Sequence, residues 1–151
     1  MKVLLATDGT KFSEAAAKMV ADLGLKDGDE VTIVSVVDMA VPLAIDMYGG
    51  YMPDTTELEK ASRENAVKIA EGTAQKVQKL LGDSGVKVAH DVLYGTPESR
   101  IVETAEEMKS DLIVIGSHGY KSWERLLLGS VSSSVVHHAP CSVLVVRTDA
   151  E

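Results

Sequence analysis

The sequence predicts a single-domain, three-layer α/β/α protein with a five-stranded, mainly parallel sheet. Three observations lead there. Short aliphatic runs, KVLLAT, VTIVSVV, LIVI and SVLVVR, recur along the chain and are apolar on both faces, as strands covered from both sides are. Stretches with helical spacing separate these runs, and turn residues, several of them glycine, follow their carboxyl ends, where open α/β sheets bind ligands. At 151 residues the chain is one domain, residues 1–151, large enough to bury roughly two-thirds of its unfolded surface.

Strand one is expected over Lys2–Thr7, closed by Asp8, Gly9 and Thr10. Ser13 then reads as the N-cap of a helix to Leu23, with Ala16, Val20 and Leu23 on one face and Gly24 to end it. The β-branched run Val31–Val37 is strand two, ending at Asp38. Met39 to Pro53 sustains neither period and carries two Pro, two Gly, three Met and two Tyr. This 39–53 loop is long enough to be a lid, binding loop or interface segment, or else a tolerated excursion.

Asp54 with Glu57 resembles a capping box for a long helix to Leu81, its inward positions being Ala66, Ile69, Thr73, Val77 and Leu80. Val86–Leu93 is strand three. Thr96 as N-cap and Pro97 at the first helical position then start a helix that turns Ile101, Val102, Ala105 and Met108 inward. Strand four is Leu112–Ile115. The last helix runs from Ser130 to His138, stopped by Pro140, and Ser142–Arg147 is the fifth strand.

Composition excludes several function classes. A net charge of −8, from 15 basic and 23 acidic residues, gives no clustered positive field for nucleic acid or an anionic membrane surface. No apolar run approaches the roughly 18 residues of a membrane span, and the N-terminus lacks a signal-peptide pattern, so a soluble, cytoplasmic protein is expected. Cys141 stands alone, which rules out an internal disulfide and reads as a buried structural thiol in a reducing compartment. With 4% aromatic residues the core must be aliphatic.

Chemistry concentrates after strand four, in Gly116, two residues, Gly119, nine residues, then Gly129 and Ser130. Missing side chains at Gly116 and Gly119 would expose backbone donors, and Gly129, Ser130 and Ser132 would set N–H groups and hydroxyls at the positive end of the last helix. Singly, such glycines are turn punctuation; together, at a strand end, they suit a triphosphate. Lys121-Ser122 only approaches the phosphate-loop motif, because Tyr120 stands where glycine is needed, and no G-x-G-x-x-G occurs.

This glycine pattern, with LLATDGT near the start and CSVLVVR near the end, resembles the universal stress protein family across essentially the whole chain, and in particular its ATP-binding branch. The resemblance implies a Rossmann-like sheet similar to that of the adenine nucleotide α-hydrolases, in strand order 3-2-1-4-5. It implies ATP held by Asp8, Gly9, Thr10, Val36, Gly116, Ser117, Gly119, Gly129, Ser130, Val131 and Ser132. Within that set the aspartate lies by ribose and adenine, the backbone near Val36 reads the adenine edge, and the glycine stretch holds ribose and phosphates. It also implies a homodimer joined through Val143, Leu144, Val145 and Val146, which would cover an exposed apolar edge strand.

From its own sequence context Asp8 is equally a turn former before Gly9; the resemblance favours ligand contact. Asp38 could accept a ribose hydroxyl, assist a metal or cap the loop, with capping favoured; His118 reads as a loop-shaping residue, His90 as a surface or satisfied core residue, and His137 and His138 as complements to a helix end. Lys121 and Arg125 could screen phosphate charge. The reading that follows is a nucleotide-dependent stress-response or signalling regulator with an unidentified protein partner. No residue is assigned to catalysis, and slow hydrolysis, with Mg2+ or Mn2+ bridging the phosphates, stays open. Two other readings compete with it. An adenylating or nucleotide-hydrolysing enzyme of related fold lacks support because the first turn reads Asp8-Gly9-Thr10-Lys11 rather than Ser-Gly-Gly. A phospho-acceptor receiver module needs an aspartate after strand three, where Leu93-Tyr94-Gly95 stands.

Overall fold

The computed structural model describes residues 1–39, 55–118 and 128–148. Its elements run β1 (Lys2–Ala6), α1 (Lys11–Ala21), β2 (Glu30–Asp38), α2 (Thr55–Leu81), β3 (Lys87–Gly95), α3 (Pro97–Glu107), β4 (Leu112–Gly116), α4 (Ser130–His138) and β5 (Ser142–Val146). The strands form one sheet in the order β3-β2-β1-β4-β5. Every pairing is parallel, so the mainly parallel sheet expected from the sequence is wholly so. The 39–53 loop beyond Met39, Asp54, Gly119, Lys121 and Arg125 lie outside the described residues.

Alternation within the central strands divides the core into two faces. Val3 and Leu5 of β1 pack with Ala16, Ala17 and Val20 of α1 and Ala74 and Val77 of α2. Leu4 and Ala6 turn the other way, to Ile101 and Ala105 of α3 and Val135 of α4. Leu4, Leu5, Ile33 and Ile113 are fully buried, which is why these strands read as continuous aliphatic runs.

Several local expectations need correction. The N-cap of α1 is Thr10, whose Oγ1 accepts from Ser13 N–H at 3.4 Å. Ser13 lies inside the first turn, buried, and α1 ends at Ala21 rather than Leu23. Thr96 precedes α3 as expected, but its side chain makes no capping bond; the fixed backbone of Pro97 and the acidic Glu98 in the first turn are the local start signals. Along α2 the buried stripe is Ala66, Ala70, Ala74 and Val77, with Leu81 packed beside it. Leu80, expected inside, sits to the side of that stripe and is 55% exposed. Positions 56–65 of α2 are all exposed, so the helix runs clear of the core before its apolar stripe begins.

Strand lengths shape the carboxyl edge of the sheet. The β1–β2 ladder ends at Ala6↔Val34, with Thr7 N–H donating to the Val34 carbonyl at 2.9 Å. β2 continues with β3 as far as Asp38↔Gly95. Residues Ser35 to Asp38 therefore stand past the end of β1 and wall one side of the edge. α1 crosses against β4 at Gly116, where a Cβ would lie 2.7 Å from the Phe12 backbone carbonyl carbon. Glycine is required there for helix-on-strand approach. A surface ion pair, Lys76 to Glu14 at 2.7 Å, links α2 to α1; this hydrogen bond and charge hold the Glu14 carboxyl below its usual range.

Replacing Gly116 by alanine forces α1 off β4, and overpacking of this kind costs about 1–3 kcal/mol. Denaturant unfolding of Gly116→Ala should show a lowered midpoint; an unchanged midpoint would contradict the close approach.

Candidate functional site

The carboxyl ends of β1 and β4 adjoin at the centre of the sheet, where the chain's strand order switches direction, and the predicted residues gather there. After β1 the backbone turns at Gly9, with φ +76°, a conformation that favours glycine. Asp8 closes this turn: its Oδ1 accepts from Thr10 N–H at 3.0 Å and from Thr10 Oγ1 at 2.6 Å. The turn-forming role weighed for Asp8 is thus present, and it uses one carboxylate oxygen.

Beyond β4, Ser117 is buried and its N–H donates to the Val146 carbonyl at 2.9 Å, extending the ladder with β5. Its carbonyl accepts from Gly129 N–H at 2.8 Å and from Ser132 Oγ at 3.0 Å. Ser132 Oγ also lies 3.0 Å from the Gly129 carbonyl. These bonds tie the two ends of the glycine pattern together and fix where α4 begins. They also amend the expected donor set, because the Gly129 N–H and the buried Ser132 hydroxyl are engaged within the protein.

What remains at the helix start is the backbone. The first helical bond of α4 runs from Ser133 N–H to the Gly129 carbonyl, 2.9 Å, leaving the N–H groups of Ser130, Val131 and Ser132 without an intrahelical acceptor. Three such donors at the positive end of a helix form an anion-binding arrangement. Gly129 itself has φ −60°, open to any residue, and a Cβ there would meet neighbours no nearer than 3.4 Å. Neither its conformation nor packing among the described residues requires glycine at 129.

Phe12 joins the halves of the site. Its backbone lies against Gly116, its ring is 5.2 Å from that of His118, and Lys11 Nζ sits 5.3 Å from the Phe12 ring centroid. His118 Nδ1 and Ser117 Oγ share a 3.0 Å hydrogen bond, in keeping with a loop-shaping histidine. Val36 is half-buried on the projecting part of β2, paired with Leu93. Asp8, Gly9, Thr10, Gly116, Ser117 and Gly129 to Ser132 thus come to one edge with Val36 on its flanking wall. Lys11 and Phe12 were missed by sequence reasoning; their position directly after the Asp8 turn was the available signal.

The other candidates lie elsewhere. His137 and His138 donate from Nδ1 to the carbonyls of Ser133 and Ser134 at 2.7 and 2.8 Å, each reaching back one turn of α4. His90 is exposed on β3. Cys141, expected to be buried, is half-buried; that partial burial, reinforced by the Asp111 carboxylate, pushes its thiol up, which suits an inert cysteine. Among the described residues no group of three or more His, Cys, Asp or Glu could hold a metal ion, and no helix is long and apolar enough to cross a membrane.

A doubly wound parallel sheet with a helix start at its switch point belongs to the α/β architectures that bind ligands at that edge. The chain belongs to the universal stress protein family, whose model matches residues 1–147. It is 37% identical over 146 residues to a universal stress protein of Methanocaldococcus jannaschii, covering 97% of this chain and 81% of that one. Among solved structures it is similar to universal stress protein UspA from Lactobacillus plantarum, with TM-score 0.78, 26% identity and 97% of both chains covered. A family protein from Arabidopsis thaliana with AMP bound shares the fold at TM-score 0.70 and 16% identity, over 99% of this chain and 93% of that one.

Ser132→Ala removes the hydroxyl that bridges Ser117 and Gly129. The expected loss is about 1 kcal/mol of stability, read as a lower denaturation midpoint with unchanged slope. Wild-type stability in this variant would show that the bracket does not hold the two segments.

Proposed function

We propose that this protein binds ATP at the β1/β4 edge and acts as a nucleotide-dependent regulator in a stress response or in signalling in the cytoplasm. The observation that carries the reading is the set of three N–H donors on Ser130, Val131 and Ser132, set beyond β4 and beside the β1 turn that bears Asp8. In a chain of net charge −8 an anionic ligand must be held by local donors, and these are local. Glycine at 129, which no neighbour among the described residues demands, is accounted for by close passage of a ligand. The AMP held by the Arabidopsis family protein supports an adenine nucleotide as its class.

In this reading the phosphates lie over the start of α4 and near Gly116, Ser117 and Gly119. Asp8, with Gly9 and Thr10, meets the ribose, and the backbone around Val36 meets the adenine. Any Mg2+ or Mn2+ bridges the phosphates. The exposed edge of β5 supports a homodimer through Val143, Leu144, Val145 and Val146. Val143, Leu144 and Val145 remain half-buried in the single chain, whereas Val146 is already buried at 5%.

Calorimetric titration with ATP, AMP and GTP tests the ligand: ATP should bind, AMP more weakly for want of the outer phosphates, and GTP worst. Asp8→Asn keeps an acceptor for Thr10 while removing the charge, and should weaken ATP by about 1–2 kcal/mol. Absence of ATP binding by the wild-type protein would end the reading, and unchanged affinity in Asp8→Asn would remove Asp8 from the site. For assembly, sedimentation should give a dimer that Leu144→Lys converts to monomer with its circular dichroism retained. A wild-type monomer at high concentration would defeat the dimer.

A further inference from the structure

A chain of hydroxyls runs behind the candidate site and reaches a helix that contributes no predicted ligand contact. Thr7 Oγ1 donates to Ser13 Oγ at 3.2 Å, and Ser13 Oγ donates to the Thr10 carbonyl at 3.0 Å. Each hydroxyl has one proton, so with those two assigned, the 3.3 Å contact between Thr73 Oγ1 and Thr7 Oγ1 has Thr73 as donor. Gly9 N–H also approaches Thr7 Oγ1 at 3.4 Å. The order Thr73, Thr7, Ser13, Thr10 is therefore directional, from the middle of α2 through the end of β1 to the cap of α1. Consecutive bonds in such a chain strengthen one another.

Packing follows the same path. A Cβ on Gly9 would lie 3.1 Å from Ile69 Cγ1 and Cδ1, so Ile69, one turn before Thr73 on α2, presses directly on the turn. Thr7 and Ser13 are both buried. A threonine on the core-facing stripe of a long helix, where Ala70, Ala74 and Val77 surround it, has a polar group to satisfy, and this one satisfies it on the segment that carries Asp8.

We propose that Thr73 is a positioning residue for the Asp8–Thr10 turn: from α2 it orients Thr7 and Ser13, and so sets the placement of Asp8 that ligand binding needs. The inference rests on the nucleotide reading above. It makes α2 a second wall of the site, coupled to its occupancy through Ile69 and Thr73.

Thr73→Val keeps the shape and removes the donor, and Thr73→Ser restores the donor. ATP affinity, unfolding of the free protein, and amide exchange at Gly9 and Thr10 should be measured for wild type and both variants. Thr73→Val is expected to weaken ATP on the order of tenfold and to speed exchange at Gly9 and Thr10 relative to Val20. Thr73→Ser should return both to near wild type. A purely structural threonine would lower the unfolding midpoint and leave affinity unchanged, and that result overturns the proposal. Wild-type protein that binds no ATP overturns the nucleotide reading and this inference with it, and is told apart by the wild-type titration alone.

Discussion

The carbonyl of Ser117 is the point on which the carboxyl edge of the sheet depends. It receives the Gly129 amide and the Ser132 hydroxyl, while the amide of the same residue continues the ladder to β5. A strand end, a helix start and a neighbouring strand are fixed by one peptide. Because the bracket uses up the Gly129 donor, the three amides that follow are the ones left without an intrahelical acceptor at the positive end of the helix. In the proposed reading, anion affinity would come from how the chain is tied, with donors close enough that the acidic balance of the molecule is screened.

Tight helix packing complements that bracket. Gly116 lets the first turn of α1 lie against β4, which carries Phe12 to His118 and brings the β1 turn beside the β4 turn. The glycine expected to open backbone donors thus acts by admitting a helix. Two glycines of one pattern differ physically: Gly116 answers to packing inside the molecule, whereas at Gly129 a Cβ would meet its described neighbours no nearer than 3.4 Å. Family membership, matched across residues 1–147, concerns the pattern as a whole and does not separate these roles.

The sheet was legible because its central strands are buried on both faces, and a doubly buried strand leaves an uninterrupted aliphatic run such as LIVI. The order of elements and the gathering of Asp8, Gly116 and Gly129 at one edge followed from it. Details set by side-chain competition were not legible. Ser13 and Thr10 are both good caps, and only the burial of Ser13 beside Thr7 decides for Thr10. Leu80 and Leu81 are chemically alike, and the orientation of α2 on the sheet chooses between them. Thr73 was visible as a position on the inward stripe, but its partner lies 66 residues away, a separation that periodicity cannot read.

Mechanically, α2 is an overhanging beam, seated on the core from Ala66 to Val77. It rests on the β1 turn at Ile69 and Thr73, whereas positions 56–65 extend past the core without burial. At 1.5 Å per residue, the arm from Thr73 to Thr56 is roughly 25 Å long. A tilt of about 5° about Thr73 would move the Thr56 end by about 2 Å, so a small change at the β1 turn would become a larger one at the start of the helix.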